Sequence, residues 1–514
     1  ADESNVSEAE VYAGLASSLV EFPPPKSQRM GFLNESWRVI TRVEDPVRFS
    51  RCAATYAELL MRHYSEREVS VLLRDVVRHL HEAMEAAAAA ADVDELTPAG
   101  RAKLPEACVP PLERVMELLT RGASQAQSGG SGAKLGNIIT TESFMELMDL
   151  FPPERKSTLC KQLMDSFTKT HGNTSDPVVI HAVLDMARTL HDGLDSLSVE
   201  DERRQIGSII SRFVHQIDFG RDLEQQLNVL VDCRAAFFNL DVVKDHLVSA
   251  AATLAMRAHR LMKGRHSKKT TAFVKACMAF CHITIPSIDN PFSRMALFQL
   301  CGQVAIVNQC LPQADTFFKS VIQEIPELPS VLELDGKSIP TEAPLERFLR
   351  GFLAALVVVP GHPDHGPFYL AQGLMKAMGR YPWSETSGAR TRVCISLLPL
   401  FAAFGQRKLP YHVARVESND DMYAGDDRYM ADLRDFVAST MTEIVTQLTA
   451  MDKLGKTDPV VAGRQAEVIV LLLSQLISFF ELDAAARGLI TKFAQLARRN
   501  GGDSTGLTDL IQLV

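Results

Sequence analysis

From Ile138 onward one pattern recurs: an apolar stripe at helical spacing, a break of Pro, Gly or Asx, then another stripe. Ile206, Ile209, Ile210, Phe213, Val214 and Ile217 lie on one helical face. Leu223, Leu227, Leu230 and Val231 begin the next after Gly220. Further helical segments fall near 241–263, 268–283, 292–309, 312–324, 343–359, 366–379, 389–404, 428–453, 462–481 and 484–499. Pro286, Pro291, Pro326, Pro329, Pro360, Pro382, Gly425 and Pro459 punctuate them. These twelve segments take up roughly 300 residues, or about 50 per helix pair. A pair of that size cannot bury its apolar faces alone and does so by stacking on its neighbours. The pattern predicts an all-α protein, a HEAT-like α-solenoid of antiparallel helix pairs. The segments share no crisp consensus, so a globular α-bundle is the competing architecture. One stretch breaks the pattern: Val331–Ile339 alternates around Asp335-Gly336 and reads as a short hairpin between helices.

The N-terminal part is less regular. Residues 1–28, ending in Phe22-Pro23-Pro24-Pro25, read as a weakly ordered tail. Residues 29–120 read as a helical solenoid segment, in which Val69, Leu72, Leu73, Val76, Val77 and Leu80 form one face and Ala86–Ala91 extends the helix. Residues 121–137, rich in Gly and Ser, read as a flexible linker. The main solenoid follows over 138–500, with a tail at 501–514.

Net charge is −9 and aromatics are 7% of residues, a balance that disfavours a protein that coats nucleic acid. The nine cysteines are too sparse for a disulfide framework. Most sit in apolar stretches and read as small core residues in a reducing compartment. The longest apolar run, Val468–Phe480, is interrupted by Ser474, Gln475 and Ser478 and is shorter than a membrane helix needs. No signal peptide is visible, and the start at Ala1 suggests a fragment of a longer protein.

Motifs that carry chemistry are nearly absent. Gly336-Lys337-Ser338 and Gly455-Lys456-Thr457 have the tail of a phosphate-binding loop, but Val331 and Ala450 stand where its first glycine is required. Gly129-Gly130-Ser131-Gly132-Ala133 misses the last glycine of a nucleophile elbow. Cys277 and Cys281, with His282, Cys301 and Cys310, are better read as core thiols than as a zinc set, because Val274, Met278, Phe280 and Ile283 surround them. His362-Pro363-Asp364-His365 could bring two imidazoles near a carboxylate, with no third ligand close in sequence.

Two charged clusters remain as partner-binding candidates. Asp420, Asp421, Asp426 and Asp427 form an acidic run interrupted by Gly425. It reads as a solvated loop whose last members cap the next helix, or as a partner contact. Asp-rich motifs also hold divalent metal in some all-α enzymes, but there they work from helices lining a deep apolar pocket. Lys263, Arg265, Lys268 and Lys269, with Arg257, Arg260 and His266, make the basic counterpart. It reads as cations at a helix C-terminus, or as an anchor for an acidic partner or an anionic membrane surface.

Several longer runs resemble a known family. They include Phe219-Gly220-Arg221-Asp222-Leu223-Glu224-Gln225-Gln226-Leu227, Leu261-Met262-Lys263-Gly264-Arg265-His266-Ser267-Lys268-Lys269-Thr270 and Gln313-Ala314-Asp315-Thr316-Phe317-Phe318-Lys319. Val359-Pro360-Gly361-His362-Pro363-Asp364-His365-Gly366 and Leu33-Asn34-Glu35-Ser36-Trp37-Arg38 belong with them. Together they resemble the vacuolar-protein-sorting-thirty-five-like family, the large scaffold subunits of retriever, from about residue 30 to about residue 500. The resemblance implies an α-solenoid without catalytic activity and without a cofactor. It implies a metallophosphoesterase-fold small subunit seated on the C-terminal half, from about residue 290, and an arrestin-like subunit. It also implies coiled-coil-domain and copper-metabolism-domain proteins of the Commander assembly. The implied location is cytoplasmic, peripherally associated with endosomes through a sorting nexin, where membrane proteins are returned to the cell surface. The family's N-terminal Pro-Arg-Phe-Tyr-type stretch, on helices that contact the arrestin-like subunit, is not in this sequence, so that contact is expected to be largely missing. Residues 83–136 are expected to be an insertion between solenoid helices. The expectation is a scaffold; the alternatives are the large retromer subunit and an all-α metal-dependent enzyme built on the acidic run.

Overall fold

The computed structural model describes residues 8–90, 104–126, 135–195, 198–334, 337–362, 364–406, 427–480 and 484–501. Among them are twenty-one α-helices and one two-stranded hairpin. The chain divides into two compact units, Ala1–Ala250 and Ala251–Val514.

The first unit holds α1 (Glu8–Glu21), α2 (Lys26–Ile40), α3 (Pro46–His63), α4 (Glu66–Ala90), α5 (Val109–Ala126), α6 (Leu135–Ile139), α7 (Glu142–Leu150) and α8 (Pro153–Thr170). It continues through α9 (Pro177–Asp192), α10 (Glu200–Gln216) and α11 (Leu223–Ala236) into α12 (Asp241–Leu261), which contains the boundary. Helix α3 packs on α1, α4 and α5; α5 packs on α8, and α8 on α9 and α10. The expected tail is not a tail over residues 8–28: α1 buries Ala9, Ala16 and Val20, and Cys52 and Tyr56 of α3 reach its carbonyls. The linker is also shorter than expected, because α5 runs to Ala126 and α6 starts at Leu135. Within the 83–136 stretch, α5 is a packed helix: its Leu112, Val115, Met116 and Leu119 are fully buried.

The second unit holds α13 (Lys268–Thr284), α14 (Pro291–Val307), α15 (Leu311–Glu324), β1 (Val331–Leu334), β2 (Lys337–Pro340) and α16 (Glu342–Leu356). It ends with α17 (Tyr369–Met378), α18 (Ala389–Gly405), α19 (Asp427–Gly455), α20 (Pro459–Phe479) and α21 (Ala484–Arg499). The first helices of successive pairs, α14, α16, α18 and α20, pack on one another in chain order. Among their second helices, α15 packs on α17, and Phe368, at the start of α17, meets Tyr429 of α19 at 5.1 Å. Neighbour-to-neighbour stacking of helix pairs is the arrangement of an α-solenoid. All twelve helical segments expected from residue 206 onward are present.

Local chemistry sets many of the starts. Asp45-Pro46, Asp176-Pro177, Asn290-Pro291 and Asp458-Pro459 open α3, α9, α14 and α20 in the same way. The Asx side chain accepts a backbone N–H two residues on, at 3.1, 2.9, 2.9 and 2.9 Å. Proline, lacking an N–H, occupies the first helical position where none is needed. Each such cap stabilises its helix by about 1 kcal/mol.

The stripe from Ile206 to Ile217 is buried, as is the Val69–Leu80 face. The Leu223 stripe is not: in α11 only Leu230 and Cys233 are buried, and Val231 is 45% exposed. The hairpin is formed, with Leu332 opposite Ile339; its turn residues Asp335 and Gly336 lie outside the described residues. Helix α20, by contrast, exceeds what the run from Val468 suggested. Over Pro459–Phe479 it is long and apolar enough to cross a membrane by length and composition. Here it packs against α18, α19 and α21, and the buried Gln465 donates to the Leu448 carbonyl at 2.8 Å.

Candidate interaction surfaces

The basic cluster forms the corner between α12 and α13. Lys263 and Gly264 adopt positive φ (51° and 75°), and the Gly264 N–H donates to the His259 carbonyl at 3.0 Å, closing the end of α12. Ser267 then opens α13 with a capping box: Thr270 N–H donates to Ser267 Oγ at 3.3 Å, and Ser267 N–H donates to Thr270 Oγ1 at 2.8 Å. The rigid corner exposes Lys263, Arg265, Lys268 and Lys269 beside Leu261, itself 51% exposed. Among the described residues, no carboxylate lies within ion-pair distance of Lys263, Arg265 or Lys268. The position of the charges separates the two readings made from sequence. Arg257 and Arg260 stand where the α12 dipole favours cations. Lys268 and Lys269 stand in the first turn of α13, where the dipole disfavours each by about 0.3–1 kcal/mol.

The acidic counterpart cannot be placed beside it. Asp420, Asp421 and Asp426 lie outside the described residues, and Asp427 is the first residue of α19 with no described side chain.

The His362–Gly366 loop is closed on itself. His362 N–H donates to the Gly366 carbonyl at 3.1 Å, and Gly366 N–H returns to the His362 carbonyl at 2.9 Å. The His362 and His365 rings stack at 4.5 Å. The nearby carboxylate, Asp315, is already engaged by Lys319 Nζ at 2.8 Å and Tyr369 Oη at 2.6 Å. Burial pushes the Asp315 carboxyl up, but these two hydrogen bonds, with the charge of Lys319 and the nearby His362, together hold it below its usual range. Asp364, the carboxylate of the motif itself, is exposed and gives its backbone N–H to His362 Nδ1 at 3.1 Å, and among the described residues no third metal-ligating side chain joins the group.

All nine cysteines are buried and none is in a disulfide. Burial pushes Cys160, Cys233 and Cys394 up to about 12, keeping them as thiols rather than as metal-binding or nucleophilic thiolates.

One surface had no counterpart in the sequence reading. In the second unit a groove of about 360 Å³ runs between α16, α18 and α20, with Leu353, Val357, Pro399, Leu400 and Leu471 in its walls and Arg350 at its rim. Val358, 65% exposed, lies just beyond. These residues are over a hundred positions apart, so no local pattern announces them; the one hint is an apolar Val357-Val358 pair just past the end of α16.

Comparison with known proteins then decides the family. Residues 1–89 and 133–514 match the family described as VPS35L C-terminal domain. The chain belongs to that family. Relatives named VPS35 endosomal protein-sorting factor-like are 36% identical in Danio rerio and 35% in Homo sapiens, each over 454 residues, or 88% of this chain and 44% of the relative. The Dictyostelium discoideum relative is 32% identical over 499 residues, 97% of this chain and 47% of its own length. The chain thus spans a little under half the length of these relatives. The VPS35L match omits residues 90–132, yet α5, which lies inside that gap, is a core helix of the first unit.

Proposed function

We propose that this chain is a non-enzymatic scaffold in endosomal protein sorting, acting as the large subunit of a retriever-type complex. Membership of the VPS35L family across most of the chain carries the reading. The stacked pairs of the second unit support it, because a helix-pair array offers a partner a long surface rather than a pocket for chemistry. In this reading the C-terminal half seats a metallophosphoesterase-fold subunit, with the groove around Val357 and Leu471 supplying buried apolar anchors and Arg350 a polar rim. The corner at Lys263, Arg265, Lys268 and Lys269 meets an acidic partner surface, and the run at Asp420, Asp421, Asp426 and Asp427 is a second partner contact. Association with endosomes is peripheral and passes through a sorting nexin and the Commander proteins.

The test is calorimetric titration of the chain with the phosphoesterase-fold subunit of the same organism. Saturable binding near one-to-one is expected, weakened by Val357→Glu with Leu471→Glu. Absence of binding by a well-folded helical chain overturns the assignment. Binding that the paired variant leaves unchanged overturns the groove as its seat.

A further inference from the structure

In the first unit, α2 and α4 are joined by the Trp37–Asp75 hydrogen bond at 3.0 Å. Between them lies a cleft of about 420 Å³, within the roughly 300–1,000 Å³ range of ligand and anchor pockets. Its floor is apolar and unusually open: Trp37 is half-buried, Met30 is 46% exposed and Val71 42%. Large apolar surface left in a concavity is a marker of docking, whereas scattered surface apolar residues are not.

The electrostatics of the rim choose the occupant. The two carboxylates at the cleft are satisfied within the chain. Asp75, with 13% of its side chain exposed, accepts from Trp37 Nε1 at 3.0 Å and pairs with Arg78 at 3.1 Å. Glu68 accepts from the Ser65 N–H at 3.0 Å and from the Ser65 hydroxyl. Arg38 on α2 and Arg67 on α4 are exposed, and among the described residues neither has a carboxylate within ion-pair distance. Two guanidiniums without an ion-pair contact, Arg67 with only the longer-range attraction of Glu68, therefore flank an apolar floor from opposite walls. Arg and Trp are also the side chains most enriched at the centres of protein interfaces.

We propose that the cleft between α2 and α4 is a docking site for a linear acidic segment of a partner protein. One bulky apolar side chain of that segment enters beside Trp37, and carboxylates on either side of it pair with Arg38 and Arg67. Guanidinium–carboxylate pairs at such a rim supply orientation and specificity, and the desolvated anchor supplies most of the affinity. An anionic membrane fits less well, because it meets convex cationic faces, and this site is a cleft. The site lies in a different unit from the groove proposed for the phosphoesterase-fold subunit, so either assignment can fail without the other.

The experiment uses the full chain and fluorescence anisotropy of a fluorescein-labelled, end-blocked peptide, Asp-Glu-Leu-Phe-Asp-Glu. Two controls replace its acids by Lys or its Leu-Phe by Ser-Ser. Saturable binding of the acidic peptide is expected, with both controls at least about tenfold weaker. Arg38→Glu with Arg67→Glu, and separately Val71→Asp, should each weaken binding by at least about tenfold. All three positions are exposed, so circular dichroism and melting temperature should match the parent. Lys376→Glu with Lys456→Glu, at exposed positions of the second unit, should leave binding unchanged. No saturable binding up to about 1 mM peptide overturns the proposal. So does equal binding of the Lys peptide, or indifference to the cleft variants. If the peptide does not bind but phosphatidylserine vesicles do, and the Arg38/Arg67 variant abolishes vesicle binding, the cleft is a membrane contact and the peptide assignment is wrong.

Discussion

The ion pair between α16 and α18 allows a prediction with a magnitude. Arg392 Nε donates to Glu346 Oε1 at 2.9 Å and a terminal nitrogen donates to Oε2 at 2.8 Å, a two-point contact. Its other terminal nitrogen donates to the Ser387 carbonyl at 3.0 Å, tying the pair to the loop before α18. The hydrogen bonds Arg392 donates to Glu346 push its guanidinium up, against the opposing effect of burial. Breaking a buried pair by removing one partner costs about 3–5 kcal/mol, because the other charge is left in a poor environment. Here the loss should fall below that range. Arg392 keeps 25% of its side chain exposed, and Arg350 still donates to Glu346 at 2.6 Å when Arg392 is gone. Arg392→Met should therefore destabilise the second unit by about 2–3 kcal/mol. At roughly 2–4 °C per kcal/mol for a unit of this size, its melting temperature should fall by about 5–10 °C. Glu346→Leu combined with Arg392→Met removes both charges and should recover most of the loss. The chain holds two tryptophans, Trp37 in the first unit and Trp383 in the second. A Trp37→Phe background makes Trp383 the sole reporter, and scanning calorimetry supplies the second probe. An Arg392→Met melting temperature within about 1 °C of the parent would refute the reasoning, as would a double variant as unstable as the single one.

Three further outcomes are expected. Gly302 of α14 faces the Phe318 ring of α15, and an added Cβ would sit 3.0 Å from its nearest carbon. Gly302→Ala should thus destabilise by about 1–2 kcal/mol in urea titration even though alanine favours helix by about 1 kcal/mol; a stabilised variant would show that the ring yields freely. Phe213, fully buried and meeting Phe167 edge-on at 6.0 Å, should cost about 3–5 kcal/mol as Phe213→Ala, read as a lower melting temperature of the first unit. Since burial holds Cys160, Cys233 and Cys394 near 12, mass spectrometry after iodoacetamide at pH 8 should find these three unmodified in the folded chain and alkylated in guanidinium. Alkylation in the folded state would mean that local opening exposes them.

Most helices could be read along the chain because their signals are local. Asp176-Pro177 starts a helix wherever it occurs, since the carboxylate and the missing N–H act within three residues. The Ile206–Ile217 stripe likewise marks a buried face by spacing alone. Where burial depends on what lies opposite, the same signals mislead. The Leu223–Val231 stripe has the right period, but α11 has little packed against its face, and Val231 stays exposed. Helix α5 lies next to a Gly/Ser-rich stretch that hides it from a compositional reading, yet α3 and α8 enclose it.

Sequence by itself determined the fold class and the helix order, and its longer motifs marked the family, since each rests on residues near one another in the chain. It also marked the basic corner as a charged turn. Tertiary structure alone decided which charges lack a partner and which apolar residues remain in a cleft. Asp75 accepts a hydrogen bond from Trp37, thirty-eight positions away, while Arg38, the residue after Trp37, has no carboxylate within ion-pair distance among the described residues. The groove of the second unit joins Val357 to Leu471 in the same way. Burial and ion pairing are sums over neighbours brought together by packing, and helical periodicity specifies only the face a helix presents, not the surface that will meet it.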